Sequence, residues 1–346
     1  MDVYQDQGYS SADSDMSFCD HKQPLSPIFE EDLPKTPEND SLLGNEASME
    51  TTDVSPTPTC NSEMVPSFIK VHHVTTPRQI PKIPYIDPLS PYLIDTYNYK
   101  KSLEKIYHPK ACLENQKDIQ PEMRDQLITW LCKVHHQCNY SSDTIFLTVN
   151  IIDRFLAQTN ITINVFQLLG VSAYLIATKL EEISVPEVTD LLYYTCHTYT
   201  YNQLIQMEAI ILQKLRFDFN VPTSNYFLEH YCTLQMRQLN CCHDEETPTK
   251  LNLFRQVQGI ARFILELTIT DYNITQHPPS VIAIATLKVA EQWHLSEGNI
   301  LIHLQPELAR LDYKACFEQV QILAKQILTT CTDLEQICLK YMDPIA

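Results

Sequence analysis

The sequence predicts an all-α protein with two tandem five-helix domains that follow a disordered N-terminal tail. Only 5 of the 346 residues are glycine, and the alternating apolar and polar runs that are typical of strands are few, which argues against a β-rich or doubly wound protein. From about residue 91 onward, apolar residues recur with the spacing of amphipathic helices. The second half repeats the helical organisation of the first. We place the tail at residues 1–85, the first domain at 86–221 and the second at 222–346.

Residues 1–85 differ from the rest of the chain in charge and proline content. They contain 14 acidic against 5 basic residues, a net charge of −9, and ten of the 21 prolines. Such a segment cannot bury enough apolar surface to offset the entropy lost on folding, so we predict disorder. Ser-Pro and Thr-Pro pairs suit proline-directed kinases, although chance also produces them in a proline-rich segment; they lie at Ser26, Thr36, Ser55, Thr57, Thr76 and, just beyond, Ser90. The stretch "LPKTPEND" resembles a phospho-dependent degradation signal, which would make degradation machinery a partner.

Five main helices are predicted in the first domain, which ends near Asn220. The first helix starts near Pro91, because proline is favoured at a first helical position. The third is expected to be capped by Ser142 or Asp143. The fourth is apolar nearly all round and therefore belongs at the centre of the core. In chain order the segments are "SPYLIDTYNYKKSLEKIY", "QPEMRDQLITWLCKVHHQC", "SDTIFLTVNIIDRFLAQ", "NVFQLLGVSAYLIATKLEE", the short "VPEVTDLLYY" and "TYNQLIQMEAIILQKL".

The fourth helix carries a stripe of small residues and an unusual end. Gly170, Ala173 and Ala177 form the stripe, which allows neighbouring helices to approach closely. The helix ends in "KLEE", and two negative charges in a last turn oppose the helix dipole. We expect Glu181 and Glu182 to face solvent near the edge of a bound partner.

The second domain repeats this organisation without obvious sequence identity to the first. Its apolar central helix is predicted at "PPSVIAIATLKVA", which corresponds to 165–180 of the first domain. The other predicted helices are "VPTSNYFLEHYCTLQM", "LNLFRQVQGIARFILELTIT", "DYKACFEQVQILAKQILTTC" and "DLEQICLKYM".

Charge and composition exclude several classes of function. A net charge of −18 without a basic stretch disfavours nucleic-acid binding and docking on anionic membranes. The first residues lack the basic and apolar parts of a secretory signal. The uncharged span 156–178 is interrupted by polar residues and is too short to cross a bilayer. We therefore expect a soluble protein of the nucleus and cytoplasm, with its 12 cysteines reduced.

Two pairs of opposite charges share the same spacing. Arg124 precedes Asp153 by 29 residues, and Lys179 precedes Glu208 by 29 residues. Each charge lies among apolar residues, where burial alone would cost a large desolvation energy. The spacing predicts two ion pairs formed when helices pack; four unrelated surface charges are the alternative.

At these residues the sequence resembles the cyclin box. The segments "MRDQLITWL", "LTVNIIDRFL", "FQLLGVSAYLIATKLEE" and "MEAIILQKLRFDFNVPTSNYFLEHY" follow one another in the order and spacing of that family. Its five characteristic residues correspond to Arg124, Asp153, Leu168, Lys179 and Glu208. The resemblance covers about 91–222, continues more weakly through 345 as a second cyclin fold, and is greatest to the O type within the A/B-like group.

This resemblance implies a regulatory subunit, without an active site, that binds and activates a cyclin-dependent protein kinase as a heterodimer. Cell-cycle control or centriole amplification in multiciliated cells would be its setting. By family position, Lys179 and Glu208 form the central polar contact, and Lys179 donates to kinase backbone carbonyls. Arg124 and Asp153 form a structural pair. The apolar part of the kinase interface would consist of Ile176, Leu180, Leu212, Phe217, Phe219, Ile94 and Tyr97. A cyclin-fold adaptor or transcription regulator that activates no kinase is the alternative.

A second family site, the docking groove for Arg-x-Leu ligands, departs from the usual pattern. Gln126 replaces an aliphatic residue, and Lys133 replaces an acidic residue that would attract the arginine of the ligand. We therefore predict weak or altered docking at a groove made of Met123, Leu127, Trp130, Phe166 and Gln167.

No cofactor or metal site is predicted. The segment "CKVHHQC" contains two cysteines and two histidines, but less than two turns of helix cannot arrange four ligands around one tetrahedral zinc ion. The sequence also lacks a phosphate-binding glycine loop, a nucleophile elbow and a kinase signature. We therefore expect no enzymatic activity of its own.

Overall fold

The computed structural model describes residues 92–241, 247–294, 300–301, 304 and 310–330, and every regular element within these ranges is helical. The predicted all-α fold class is thereby confirmed. Several expectations lie outside the described residues and stay predictions: the tail at 1–85, its six Ser-Pro and Thr-Pro sites, a helix start at Pro91, and the helix "DLEQICLKYM".

Six helices form the first half of the described chain, and the fourth lies at its centre. Helix α4 packs against α2, α3 and α6, and all residues from Leu168 to Thr178 are buried, as an all-round apolar sequence predicts. Although Ile163–Glu181 is long and apolar enough to cross a membrane by length and composition, 72% of its most apolar window is buried inside the protein. The helices are α1 Tyr92–Tyr107, α2 Pro121–Cys138, α3 Ser142–Leu156, α4 Phe166–Glu181, α5 Val188–Tyr194 and α6 Tyr201–Lys214.

Close approach of α2 and α4 depends on the small-residue stripe. A β-carbon added to Gly170 would lie 3.0 Å from Cδ1 of Leu127, nearer than ordinary van der Waals contact. The prediction that small residues let these helices approach is confirmed at this position.

The ends of the helices follow known capping chemistry. The Ser141 hydroxyl accepts a hydrogen bond from the amide of Asp143 at 3.3 Å, so the predicted cap at Ser142 or Asp143 is wrong by one residue. Helix α6 begins with a capping box in which Thr200 and Gln203 satisfy each other's backbone amides. At the end of α2, Asn139 adopts the left-handed conformation with φ of 52°, which asparagine tolerates.

The second half is organised around α10. This helix packs against α7, α8 and α11, and its residues from Ser280 to Leu287 are all buried. The predicted central position of "PPSVIAIATLKVA" is therefore confirmed. The helices of this half are α7 Ser224–Cys241, α8 Thr247–Thr268, α9 Tyr272–Thr275, α10 Pro279–His294 and α11 Lys314–Thr330.

Helix α1 contacts residues of the second half. The Tyr97 ring stacks on the His230 ring, with centroids 4.4 Å apart and planes inclined by 11°. The Glu104 carboxylate accepts a hydrogen bond from the Ser280 amide at 2.6 Å, at the start of α10. These contacts explain why α1 is ordered against residues that lie more than 130 positions later in the chain.

Candidate functional site

Arg124 and Asp153 meet in the core as a bidentate pair. Nε of Arg124 donates to Oδ1 of Asp153 at 2.8 Å, and Nη2 donates to Oδ2 at 2.7 Å. Nη1 donates to the backbone carbonyl of Ile269 at 3.2 Å, which lies in the second half of the protein. Burial by itself would lower the pKa of Arg124, but the adjacent carboxylate outweighs burial and raises it. Arg124 is fully buried, so this pair holds the fold together and cannot touch a partner.

Lys179 and Glu208 form the second pair, and this one reaches the surface. Nζ of Lys179 lies 2.5 Å from Oε1 of Glu208, and the side chains are 45% and 10% exposed. Lys179 lies in the last turn of α4, while Glu208 is in the middle of α6. An ammonium group has three donors, so Lys179 keeps two for a partner while Glu208 fixes its position.

The residues predicted to surround this pair divide into surface and core. Leu180 and Phe217 are 53% and 68% exposed, and Leu212 and Phe219 are half-buried. Ile176 is only 2% exposed and lies one turn before Leu180 on the side of α4 that faces the core. Its contact with a kinase stays a prediction.

The two predicted interface residues on α1 also differ from each other. Ile94 is largely exposed. Tyr97 is half-buried and packs its ring against α7, with His230 on one face and Phe227 at 6.0 Å in an edge-on arrangement. The ring of Tyr97 is engaged within the protein while the residue stays partly exposed, so the kinase contact at Tyr97 stays a prediction.

Phe217 is exposed because of the way α6 ends. The Phe217 amide donates to the Leu212 carbonyl at 2.9 Å, and the Arg216 amide donates to the Gln213 carbonyl at 3.1 Å. This is a Schellman motif, which usually has glycine at the left-handed position. Here Arg216 and Phe217 both adopt φ of 56°. A bulky residue in this conformation carries backbone strain, and such strain is common at binding sites.

A surface pocket of about 480 Å³ lies beside the exposed apolar residues. Leu180, Phe217 and Phe219 contribute to its wall, and Asp143 and Glu181 add two carboxylates. Burial raises the pKa of both carboxyl groups, and Asp143 raises that of Glu181 further. Lys100 also lines the pocket, so its wall combines apolar side chains with charges of both signs.

Glu182 has a structural contact that the sequence did not suggest. Its Oε1 accepts hydrogen bonds from the Ser141 amide at 2.7 Å and from the Thr144 hydroxyl at 2.5 Å. The expectation that Glu182 faces solvent is wrong, because its carboxylate caps the start of α3, where a negative charge is favourable. Glu181 is exposed.

Four exposed apolar residues near this surface were not predicted from the sequence. Ile183 directly follows the two glutamates and is 96% exposed. Tyr92, Tyr99 and Ile106 are exposed on α1 and recur at intervals of seven residues, so they share one face of the helix. This interval is the sequence signal that could have identified the α1 face.

The residues of the predicted docking groove differ in exposure. Leu127 and Phe166 are each only 4% exposed and belong to the core, and the groove stays a prediction. Met123 remains exposed, and Trp130 and Gln167 are half-buried. The two departures from the family pattern, Gln126 and Lys133, are both exposed.

The cysteines and histidines of "CKVHHQC" have other contacts. Nε2 of His136 lies 2.6 Å from the Glu266 carboxylate, and Nδ1 of His135 lies 3.4 Å from the Tyr174 hydroxyl. Within the described part of the chain, no group of three or more histidine, cysteine or acidic side chains is arranged to hold a metal ion.

Both halves match models of one protein family. Residues 95–220 match the cyclin N-terminal domain, and residues 222–344 match the cyclin C-terminal domain.

Curated relatives carry the same family name. Cyclin-O protein B of Xenopus laevis is 39% identical over 220 residues, which is 63% of this chain and 57% of that protein. Human cyclin-O is 34% identical over 248 residues, 70% of this chain and 68% of that protein. G2/mitotic-specific cyclin-B of Spisula solidissima is 37% identical over 214 residues, and the match spans 46% of its length.

Among solved structures, a viral cyclin from herpesvirus saimiri has the same fold. The superposition has a TM-score of 0.55 at 20% sequence identity, and it covers 68% of this chain and 96% of the viral protein.

Proposed function

Because the chain belongs to the cyclin family and carries both of its domains in tandem, we propose that it binds and activates a cyclin-dependent protein kinase as a non-catalytic regulatory subunit. The observation that carries this proposal is the Lys179–Glu208 pair, which lies at the surface next to exposed Leu180 and Phe217. A charged pair inside an exposed apolar patch is typical of a protein-binding site.

The polar and apolar parts of this surface have different roles in the proposed complex. Lys179 uses its two remaining donors on backbone carbonyls of the kinase, which fixes the orientation of the partner. The apolar residues supply most of the affinity, because burying one large apolar side chain contributes about 1.5–3 kcal/mol, while an exposed ion pair contributes only about 0.2–1 kcal/mol.

Activation is a shift in the population of kinase conformations. The partner's mobile helix carries the glutamate that pairs with the ATP-anchoring lysine, and active kinase needs this pair in place. Changing a kinase from about 1% to about 99% active requires that the cyclin bind the active form about 10⁴-fold more tightly. One ion pair cannot supply this difference in affinity. The extended surface that includes Phe217 and the pocket must contribute as well.

Kinase activity that co-purifies with the chain tests the proposal. Tagged protein is isolated from cells and assayed for bound kinase and for phosphorylation of a general substrate. The double variant Lys179→Ala with Glu208→Ala is expected to fold normally and to lose most of the bound kinase and activity.

A surface ion pair on the second half provides the matched control. Nε of Arg262 lies 2.7 Å from Oε1 of Glu229, and both side chains are about one-third exposed, at 31% and 37%. Arg262→Ala with Glu229→Ala removes a partly exposed ion pair that lies away from the proposed kinase surface and should retain the kinase. If wild-type protein carries no kinase, the adaptor alternative is favoured and the proposal fails.

We propose further that the chain acts in cell division or in centriole amplification, in the nucleus and cytoplasm, with phosphorylation of the tail controlling its degradation. The 37% identity to a G2/mitotic-specific cyclin-B supports the cell-division setting, and the centriole setting follows from the resemblance to the O type. Depletion in dividing and in multiciliated cells, followed by counts of mitotic cells and of centrioles, separates the two. A normal result in both cell types would refute the proposed settings.

A further inference from the structure

A second surface pocket, of about 640 Å³, opens between the end of α2, the connection from α4 to α5, and α5 itself. Its wall includes three tyrosines, Tyr140, Tyr193 and Tyr194, together with Glu187 and Asp190. It contains neither Lys179 nor Glu208, and none of the groove residues described above. It is therefore a separate surface of the first domain.

The tyrosine rings of this pocket contact other aromatic rings. Tyr193 is 71% exposed, and its ring meets that of Tyr194 at a centroid distance of 6.1 Å and an angle of 67° and that of His197 at 6.2 Å. Burial raises the pKa of the Tyr140 and Tyr194 hydroxyls, so both phenols stay neutral near pH 7. Neutral aromatic faces attract cations through their quadrupole.

Among the described residues, the two carboxylates of the pocket have no cationic partner. Glu187 precedes the first turn of α5 and Asp190 lies within it, where the helix dipole favours a negative charge. Both are exposed, and neither forms an ion pair within the described ranges. The Glu187 carboxylate accepts a hydrogen bond of 3.3 Å from the Thr189 hydroxyl. Within the part of the chain that the structure describes, no lysine, arginine or histidine contributes to the pocket wall.

The helix dipole explains the two acids but not the three tyrosines around them. Aromatic faces and unpaired carboxylates around one opening are complementary to a planar cation, which can stack on a ring and donate to a carboxylate at the same time. Val185 and Pro186 add apolar wall for the aliphatic stem of a long side chain.

We propose that this pocket binds an arginine side chain presented by an extended basic segment of a partner protein. The guanidinium group stacks on Tyr193 and pairs with Glu187 or Asp190, and the stem of the side chain lies along Val185 and Pro186. Because arginine is planar and has a fork of donors, it fits better than lysine. The pocket acts independently of the proposed kinase surface, since the two share no residue.

Binding of a defined peptide to the full chain tests the proposal. The probe is fluorescein-labelled Gly-Ser-Arg-Pro-Arg-Ser-Gly, and the reference is the same peptide with citrulline at both arginines, which keeps the shape and removes the charge. Fluorescence anisotropy is measured at about 0.15 M salt, where the net charge of the chain is screened beyond about 8 Å. We expect the arginine peptide to bind about tenfold more tightly than the citrulline peptide.

Matched variants locate the binding to this pocket. Tyr193→Ala, and separately Glu187→Gln with Asp190→Asn, are each expected to weaken binding of the arginine peptide about fivefold. Tyr92→Ala removes a tyrosine of similar exposure elsewhere, 73% against 71%, and Glu114→Gln with Asp118→Asn removes two exposed acids outside the pocket. Both controls should bind like the wild type, and thermal unfolding verifies that all variants are folded.

Several outcomes would overturn the proposal. Equal binding of the two peptides, equal weakening in pocket and control variants, or no binding up to millimolar peptide each exclude an arginine site here. Loss of co-purifying kinase in Tyr193→Ala, with peptide binding unchanged, would assign the pocket to the kinase surface. Failure of the kinase proposal itself leaves the peptide result interpretable, because the peptide assay contains no kinase.

Discussion

Arg124 illustrates how a single buried charge depends on its partner. Its guanidinium group is fully buried between Asp153 and the carbonyl of Ile269. Removing one member of such a pair leaves an uncompensated buried charge, which typically costs about 3–5 kcal/mol. We expect Arg124→Ala to lower the free energy of unfolding by about this amount, as measured by urea denaturation.

Lys179→Ala is the comparison for this prediction. The lysine is 45% exposed, so its own removal costs little; Glu208, 10% exposed, loses its partner but can reach solvent, so the unfolding free energy should fall by clearly less than for Arg124→Ala. Equal effects of the two substitutions would contradict the division into a structural and a surface pair.

His230 makes the contact between α1 and α7 sensitive to acid. Burial, with a smaller contribution from Arg237, lowers the pKa of His230 to about 4, against about 6.5 in an unfolded chain. The unfolded state therefore binds more protons between these pH values, so stability falls as the pH decreases from 6.5 to 4. We expect a loss on the order of 2 kcal/mol from this residue.

A comparison with His230→Phe isolates the histidine from the carboxyl groups that titrate in the same range. Phenylalanine keeps a ring against Tyr97 and cannot be protonated. The unfolding free energy of wild type and variant is measured from pH 7 to 4. If the difference between the two does not change with pH, the pKa of His230 is not lowered in the folded protein.

Glu182 connects the ends of two helices. It follows the last residue of α4, and its carboxylate accepts from the Ser141 amide and the Thr144 hydroxyl at the start of α3. Loss of a helix cap typically costs about 0.5–2 kcal/mol. We expect Glu182→Ala to reduce the unfolding free energy by about 1 kcal/mol, measured by thermal denaturation.

Glu181→Ala is the matched control, because Glu181 is adjacent, exposed and of the same charge. Removing it relieves repulsion with Asp143 and Glu182, which raise its pKa together with burial. This variant should be as stable as the wild type or slightly more stable. A larger loss for Glu181→Ala than for Glu182→Ala would argue against the cap.

The order and central position of the helices could be predicted from the sequence, whereas the direction of individual side chains could not. Helical periodicity and the all-apolar segment locate α4 correctly. Ile176 and Leu180 lie four residues apart on the same helix, yet one is buried and the other exposed, because the edge of the core passes between them. Periodicity identifies an apolar face but not where the neighbouring helices stop covering it.

Contacts between distant parts of the chain could not be predicted from the sequence either. Tyr97 turns toward α7 because His230 and Phe227 lie there, and nothing in the local sequence of α1 indicates this. The 29-residue spacing suggested both charged pairs, and the resemblance to the cyclin box supported the same partners. It did not show that Arg124 also reaches Ile269.

At the scale of the whole molecule, several polar contacts join the two halves. Arg124 donates to Ile269, the Tyr272 amide donates to Asp125 at 3.2 Å, and His136 lies 2.6 Å from Glu266. We therefore expect the two halves to unfold in a single cooperative transition. In calorimetry the van 't Hoff and calorimetric enthalpies should agree, whereas two resolved transitions would show that the halves are independent.

The left-handed turn at Arg216 and Phe217 affects how much conformational entropy is lost when a partner binds. A loop that must become ordered on binding loses conformational entropy. Two backbone hydrogen bonds already fix the main chain at Arg216 and Phe217, so the main-chain entropy of this turn is lost during folding and not on binding. A partner therefore meets an aromatic residue on a pre-organised turn, and the lifetime of the complex depends on how well the partner fits that residue.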